Sequence, residues 1–257
     1  MAPRSIWNGA VAFGAVNVPI KVFGAIEDKA IRFRELHSKD GSEVGHRLVG
    51  NDGKEVPKER VVKGYDIGNE EYVVLSNDEI KAADQPARKA IELSDFVPAE
   101  QIDPVFYGKP YLLAPQSGAE DAYALLVKAL DRAGRVGIGT VSLRQRQQLV
   151  SIRPVDGVLR MQVMRFADEL VDADKLDVDE PSKKPGKREI DMAGMLVETL
   201  AAKFEPDRYD DTYRDRVLAV VKAKEKGEQI TLPEPEAPED RDDLMAALEA
   251  SLKASKG

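Results

Sequence analysis

The run GTVSLRQRQQLVSIRPVDG, residues 139–157, places arginines among residues typical of β-strands. Apolar and polar residues alternate up to Arg144 and Arg146, so we expect these two arginines to share one strand face. Arg153 follows on a second strand, and Asp156-Gly157 is a two-residue hairpin signal. Because arginine pairs bidentately with phosphate, this basic hairpin could line an anion-binding surface. Two exposed strand arginines without a ligand remain the alternative.

Charge is segregated along a chain that is acidic overall, with a formal net charge of −8. Residues 128–165 carry eight basic and two acidic side chains, whereas residues 168–180 carry seven acids and one lysine. Residues 233–257 carry seven acids and three bases. Net charge therefore does not exclude nucleic acid as a partner, because a basic body is flanked by acidic segments. Each run could also be an ordinary solvated face.

A long polar connection separates predicted strands at 31–36 and 71–75. It contains both histidines and several cations, and connections of this length are uncommon unless they are functional or disordered. We interpret residues 37–65 as an extended β-arm. Ten extended residues reach about 33 Å. That length exceeds the diameter of a DNA duplex, which is roughly 20 Å and of the same order as the width of its major groove.

The motifs of catalysis and metal binding find little support. The chain has no cysteine, which excludes disulfides and thiolate sites. GAVAFG at 9–14 has P-loop glycine spacing but lacks the following Lys-Ser/Thr, and the acids at 172–179 lack the glycine and glutamate of a calcium loop. His37 and His46 are interpreted as surface histidines. No apolar run is long enough for a signal peptide or a membrane span.

The elements that must position these residues are mostly short strands in the first two-thirds of the chain. Ser117 and Glu120 have capping-box spacing before an amphipathic helix that ends at Gly134. A three-strand meander follows, with Arg153 at the end of its middle strand. Many short strands separated by turns favour a barrel or a sandwich.

The last third reads as helical. Residues 168–187 have the composition of a linker, and helices are predicted at 188–204 and 210–227. A Pro/Glu spacer then leads to a short amphipathic helix at the end of the chain.

The sequence resembles the bacterial Ku family, the DNA-end-binding proteins of non-homologous end joining. The resemblance rests on IWNGAVAFGAVNVPIKVFGAIED (6–28), GKEVPKERVVKGYDIGNEEYVVL (53–75), IELSDFVPAEQIDPVFYGKPYLLAP (91–115) and RYDDTYRDRVLAVVKAK (208–224). DLMAALEASL (243–252) is similar to the tail with which bacterial members engage DNA ligase D. The long Lys-rich tail of many members is absent, since only Lys253 and Lys256 follow.

The resemblance implies a mainly β fold with α-helices, namely a Ku-type β-barrel with a bridging β-arm followed by C-terminal helices. The implied domains are a barrel core with its arm (1–187), a helical C-terminal arm (188–227), a Pro/Glu linker (228–239) and a partner-binding helix (240–257). Two copies would form a ring that threads a duplex end.

The function implied is that of a non-catalytic protein without a cofactor. It would bind double-stranded DNA ends without sequence preference as a homodimer, recruit and stimulate DNA ligase D, and reside in the cytoplasm with the nucleoid. Expected DNA-binding residues are Arg4, Arg32, Arg34, Lys39, Arg47, Lys54, Lys58, Arg60, Lys63, Arg144 and Arg146. Expected ligase-binding residues are Leu244, Met245, Leu248 and Leu252, unless their helix folds back on its own chain.

Two alternatives differ in class from this interpretation. A sequence-specific DNA-binding regulator is disfavoured by the lack of a helix-turn-helix signature. A metal- or nucleotide-using enzyme is disfavoured by the missing motifs.

Overall fold

The computed structural model describes residues 4–83, 89–143, 146–176, 184–228 and 251. The chain divides into two compact units, the first formed by Met1–Lys29 with Phe33–Ala173, and the second by Ala30–Arg32 with Asp174–Gly257. The predicted division into four domains stays a prediction, because its last two parts fall almost wholly on residues outside those described.

Strands dominate the first unit and helices the second. The strands are β1 (Trp7–Phe13), β2 (Val16–Gly24), β3 (Lys63–Gly68), β4 (Glu71–Leu75), β5 (Ala90–Pro98), β6 (Tyr107–Pro115), β7 (Arg135–Leu143), β8 (Arg146–Val155) and β9 (Val158–Met164). The helices are α1 (Asn77–Ala83), α2 (Glu120–Ala133), α3 (Lys187–Thr199) and α4 (Thr212–Glu225).

Seven of these strands close into a barrel in the order β1-β2-β6-β9-β8-β7-β5, which confirms the predicted mainly-β barrel fold. Neighbouring strands are antiparallel, except that β1 and β5 pair in parallel where the barrel closes. The predicted meander is present as β7, β8 and β9, and Asp156 and Gly157 both adopt positive φ in the turn between the last two. β3 and β4 form a separate two-stranded hairpin.

The barrel core follows the two-residue period of its strands. Val150 and Ile152 of β8 and Leu159 and Met161 of β9 are fully buried, whereas the side chains between them belong to the opposite face of the sheet. Alternation thus fixes which face of every strand turns inward, because a shift by one residue would expose the whole apolar set.

Helix α2 covers one end of the barrel. It contacts β2, β6, β7 and β8, and its Tyr123 also bonds to β9. A straight helix cannot reach five neighbouring strands on the convex outside of a barrel, so it lies across the opening. The Tyr123 hydroxyl donates to the Leu113 carbonyl oxygen at 2.6 Å and accepts from the Leu159 N–H at 2.8 Å, which ties the helix to β6 and β9.

Two local predictions are wrong and one is confirmed. α2 begins at Glu120 with Ala119 at its N-cap, because Gly118 at φ +85° turns the chain and leaves Ser117 outside the helix. Residues 31–36 form no strand; only Leu36 makes an isolated bridge, since this part of the chain has no neighbouring strand to pair with. Gly134 caps α2 in the left-handed conformation as predicted.

The second unit contains α3 and α4. Asp211 caps α4 by accepting from the Arg214 N–H at 3.0 Å, and Gly227 follows the helix at φ +77°, as its sequence predicts. Phe204 and Tyr209 stack in the connection between the helices, with ring centroids 5.8 Å apart. The predicted linker 228–239, apart from Glu228, and the residues Leu244, Met245, Leu248 and Leu252 of the predicted terminal helix lie outside the described residues.

Candidate nucleic-acid interface

The barrel end opposite α2, which we call the arm end, gathers the segments that carry the predicted interface. β2 ends there at Gly24 and β5 begins there at Ala90, so the connection between them both leaves and returns at this end. β7 also ends there at Leu143 and β8 begins there at Arg146. Strand pairing therefore brings the predicted arm and the basic hairpin to one end of the barrel, although they are far apart in the sequence.

The predicted arm stands away from the core. Within residues 33–75 every side chain is exposed except Gly50, Val56 and Leu75, which are half-buried. Two isolated bridges, Leu36 with Glu43 and Val49 with Glu55, fold the polypeptide into tight loops before the β3–β4 hairpin. The prediction of an extended arm with β-like pieces matches this arrangement, and the arm presents its polar groups to solvent.

Three of the predicted phosphate-binding cations are already paired with carboxylates of the arm. Arg34 pairs with Glu43, Arg47 with Glu55 at 2.9 Å, and Lys54 with Asp52 at 3.4 Å. Both partners in each pair are largely exposed. Exposed ion pairs contribute about 0–1 kcal/mol, so a phosphate could displace these carboxylates at little cost.

The two arm histidines also face carboxylates. His37 Nδ1 lies 3.2 Å from Asp40, and His46 Nε2 lies 3.1 Å from Glu35. Hydrogen bonds from the backbone N–H and then the hydroxyl of Ser42 hold the pKa of Asp40 below its usual value, so this carboxylate stays ionised at neutral pH. These contacts shape the loops of the arm and support the interpretation of both histidines as surface residues.

A second group of arm cations has no carboxylate partner among the described residues. Within the described residues Lys39, Lys58, Arg60 and Lys63 are exposed and make no ion pair. Lys58 and Arg60 share a 3₁₀ turn, and Lys63 opens β3. These four side chains are the arm positions best placed to accept an external anion, because no acid must first be displaced.

The remaining predicted cations lie near the root of the arm or outside the described residues. Arg4 is exposed before β1 and so lies near the arm end. Arg32 is exposed, and it belongs to the second unit rather than to the barrel.

The prediction of one strand that runs from Val141 through Arg146 is wrong. β7 ends at Leu143 and β8 begins at Arg146, which pairs with Leu143, so the chain reverses between them. Arg144 itself lies outside the described residues. The alternation of apolar and polar residue types continues past the end of β7, which is why the sequence pattern alone predicts one strand.

Two further cations at the arm end were missed by the sequence reasoning. Lys89 precedes β5, and Lys109 stands near the start of β6, 5.9 Å from the centre of the Tyr111 ring. Lys109 is the only charged residue between Asp103 and Glu120, and Lys89 stands beside Arg88 in a short stretch of mixed charge, so neither belongs to a periodic pattern that would mark it. Arg165 follows β9 but donates to the carbonyl oxygens of Val105 at 2.8 Å and Tyr107 at 2.9 Å, and thus fixes the neighbouring loop.

Other kinds of site find no support in the described part of the chain. No group of three or more histidines and acids there could hold a metal ion. Among the same residues, no helix combines the length and apolarity that crossing a bilayer requires. The arrangement instead offers exposed cations on an arm and at one barrel end, which suits contact with a polyanion through its phosphates.

Comparison with known proteins agrees with this architecture. Residues 12–192 match the family model described as the Ku70/Ku80 beta-barrel domain. The chain is 40% identical over 256 residues to the non-homologous end joining protein Ku of Anaeromyxobacter sp. (strain K), covering 98% of this chain and 86% of that protein. The protein of the same name from Opitutus terrae is 38% identical, with 97% and 91% covered.

A third relative shows the same likeness. The non-homologous end joining protein Ku of Bacillus subtilis is 34% identical over 257 residues, which covers 98% of this chain and 83% of that protein. The family model covers the arm and nearly all of the barrel, and the alignments with the relatives also include the helices beyond. This chain therefore belongs to the Ku family.

Proposed function

We propose that this chain is a non-catalytic clamp that binds the ends of double-stranded DNA in non-homologous end joining. Two copies form a ring, and a duplex enters it by its free end. The observation that carries the proposal is that an exposed, cation-bearing arm is rooted at the same barrel end as Arg146, in a member of a family whose relatives are named for end joining.

The apolar surface of the β3–β4 hairpin supports a second copy as the partner that completes the ring. Tyr65, Tyr72 and Val74 are between 58% and 67% exposed although they are large apolar residues. Exposed apolar surface of this kind marks interaction sites, and an isolated two-stranded hairpin is only marginally stable. A symmetric homodimer is the economical way for one short chain to close a ring.

Contacts to phosphates and to duplex shape explain binding without sequence preference. Broken ends have any sequence, and phosphate contacts fix position without reading bases. The acidic segments at 168–180 and 233–257 would repel DNA from other surfaces and direct it to the arm end. The protein would then reside in the cytoplasm with the nucleoid.

Competition between DNA topologies tests this function. A labelled linear duplex is bound to the protein, and unlabelled linear, hairpin-capped and relaxed circular duplexes of equal length compete for it. We expect linear DNA to compete and circles to compete poorly, because a closed ring admits only a free end. Equal competition by circles would refute the ring, and footprints at one internal sequence would favour a sequence-specific regulator.

A double substitution tests the placement of the duplex. Arg144→Ala with Arg146→Ala should weaken binding to every linear sequence alike while the thermal unfolding of the protein stays unchanged. Arg214→Ala with Arg216→Ala on α4 removes the same charge elsewhere and serves as the control. Unchanged affinity in the first variant would show that the β7–β8 turn does not face DNA.

Recruitment of DNA ligase D belongs to the same proposal. Leu244, Met245, Leu248 and Leu252 form an apolar stripe too short to fold alone, and docking in a groove of the ligase would stabilise it. Deleting residues 240–257 should spare DNA binding and abolish stimulation of the ligase. Stimulation that survives the deletion would contradict this role and favour a helix that packs on its own chain.

A further inference from the structure

Arg153 and Arg160 stand directly opposite each other on neighbouring strands of the barrel. Arg153 of β8 pairs in register with Arg160 of β9. Side chains opposite one another on an antiparallel pair have Cβ atoms about 4.5–5.5 Å apart. Arg153 belongs to the basic hairpin singled out in the sequence, but neither arginine is among the residues expected there to contact DNA.

Both arginines belong to the outer face of the barrel. Their neighbours along the strands, Ile152 on β8 and Leu159 and Met161 on β9, are fully buried and turn inward. Successive side chains alternate between faces, so the two guanidinium groups lie on the convex outer surface. Arg153 is exposed and Arg160 is half-buried.

The pair has little neutralising charge of its own. Arg160 lies 3.4 Å from Asp156, whose side chain is 86% exposed, and Arg153 makes no ion pair within the described residues. Lys128 of α2 adds a third cation at the adjoining cleft, which Asp131 and Asp156 also line. Like charges directly opposite one another destabilise a strand pair, and an anion bound between them would remove that cost.

We propose that Arg153 and Arg160 form a second phosphate-binding site, which takes the backbone of the duplex; this inference rests on the proposed function. Two guanidinium forks on one surface suit the oxygens of a phosphate, to which arginine binds bidentately. Along β8, Arg153 is seven residues from Arg146 at the arm end, or about 23 Å. The site is therefore separate from Arg146, by a distance equal to the rise of about seven base pairs of duplex.

The salt dependence of binding to a linear duplex tests the site. Each phosphate contact contributes about 0.9 to the slope of log K against log salt concentration. Because the pair takes one phosphate, for Arg153→Ala with Arg160→Ala we expect a slope smaller in magnitude by about 0.9, so the affinity ratio of wild type to variant shrinks about 3.5-fold between 50 and 200 mM salt. Arg153→Lys with Arg160→Lys keeps the charge and should retain the slope, while losing affinity with the bidentate geometry.

Controls separate this inference from the function on which it rests. Arg214→Ala with Arg216→Ala matches the charge change on α4 and should leave the slope at its wild-type value. If the wild type binds linear duplex and the Arg153 and Arg160 variant keeps the wild-type slope, this site is refuted while the clamp stands. A variant that instead shifts the protein from dimer to monomer in sedimentation would assign the pair to a contact between copies and overturn the inference. Failure of the wild type to bind linear duplex would refute both.

Discussion

Removing the hydroxyl of Tyr123 should destabilise the barrel by a predictable amount. Tyr123 is 8% exposed, and its hydroxyl joins the Leu113 carbonyl oxygen to the Leu159 N–H. Tyr123→Phe keeps the ring that packs beneath α2 and deletes only this bridge. The substitution thus isolates the hydrogen bonds that hold the helix against β6 and β9.

The expected magnitude follows from the two groups left without their partner. A buried backbone group without a hydrogen bond costs about 1–3 kcal/mol, so for two such groups we expect a loss of about 2–6 kcal/mol in the free energy of unfolding. For a domain of 150–250 residues each kcal/mol lowers Tm by about 2–4 °C. The variant should therefore unfold roughly 4–24 °C below the wild type in calorimetry or circular dichroism.

The same hydroxyl predicts a difference at alkaline pH. Burial raises the pKa of Tyr123 above its ordinary value of about 10, against a smaller opposite effect of the Leu159 N–H. The unfolded chain then loses this proton before the folded chain does, so the stability it contributes is present below pH 10 and is lost as the pH rises above 10. Because the variant lacks the group, the gap between the two proteins should narrow above pH 10.

Tyr213→Phe provides the control, because Tyr213 is 63% exposed on α4. Its Tm should stay within about 1 °C of the wild type, as is usual for surface substitutions. A Tm for Tyr123→Phe equally close to the wild type would refute the argument that its hydroxyl bridges α2 to the barrel.

Three further predictions concern the arm and the pairing of β5 with β7. Lys58→Ala with Arg60→Ala should weaken binding to linear duplex in equilibrium titrations more than Arg47→Ala with Lys54→Ala does, because within the described residues neither Lys58 nor Arg60 has a carboxylate to exchange. Equal losses would contradict the distinction between paired and unpaired cations. Gly139→Ala should lower Tm, at a cost of about 1–3 kcal/mol, because the added Cβ would lie 2.0 Å from a backbone oxygen of β5. An unchanged Tm would show that β5 and β7 move apart enough to accommodate the methyl group. Glu70→Gly should raise the stability of the β3–β4 hairpin slightly, measured as slower amide exchange, because Glu70 sits at φ +63°; faster exchange would show that its side chain stabilises the turn.

Local patterns were sufficient for the elements and for part of the candidate site. Alternating apolar residues predicted the strands, Asp156-Gly157 predicted the turn between β8 and β9, and Gly134 predicted the end of α2. These features depend on residues close in sequence, whose φ preferences and periodicity act without the rest of the chain. The arm was also predictable, because a long polar connection between strands is itself unusual.

Local patterns failed where a turn or a distant partner decides the outcome. The alternation from Val141 to Arg146 ran through the β7–β8 turn and placed two arginines on one strand. Nothing near Arg47 or Lys54 distinguishes them from Lys58, yet the structure pairs the first two with carboxylates and leaves Lys58 without one.

The sequence by itself therefore determined the periodicity of the strands, the turns, the arm and the segregation of charge. Only the tertiary structure decided which cations come together. The parallel pairing of β1 with β5 closes the barrel and so brings the root of the arm to the end where Arg146 lies. Strand register likewise sets Arg153 opposite Arg160. Such pairings are chosen by burial of one common core, and no short stretch of sequence contains that information.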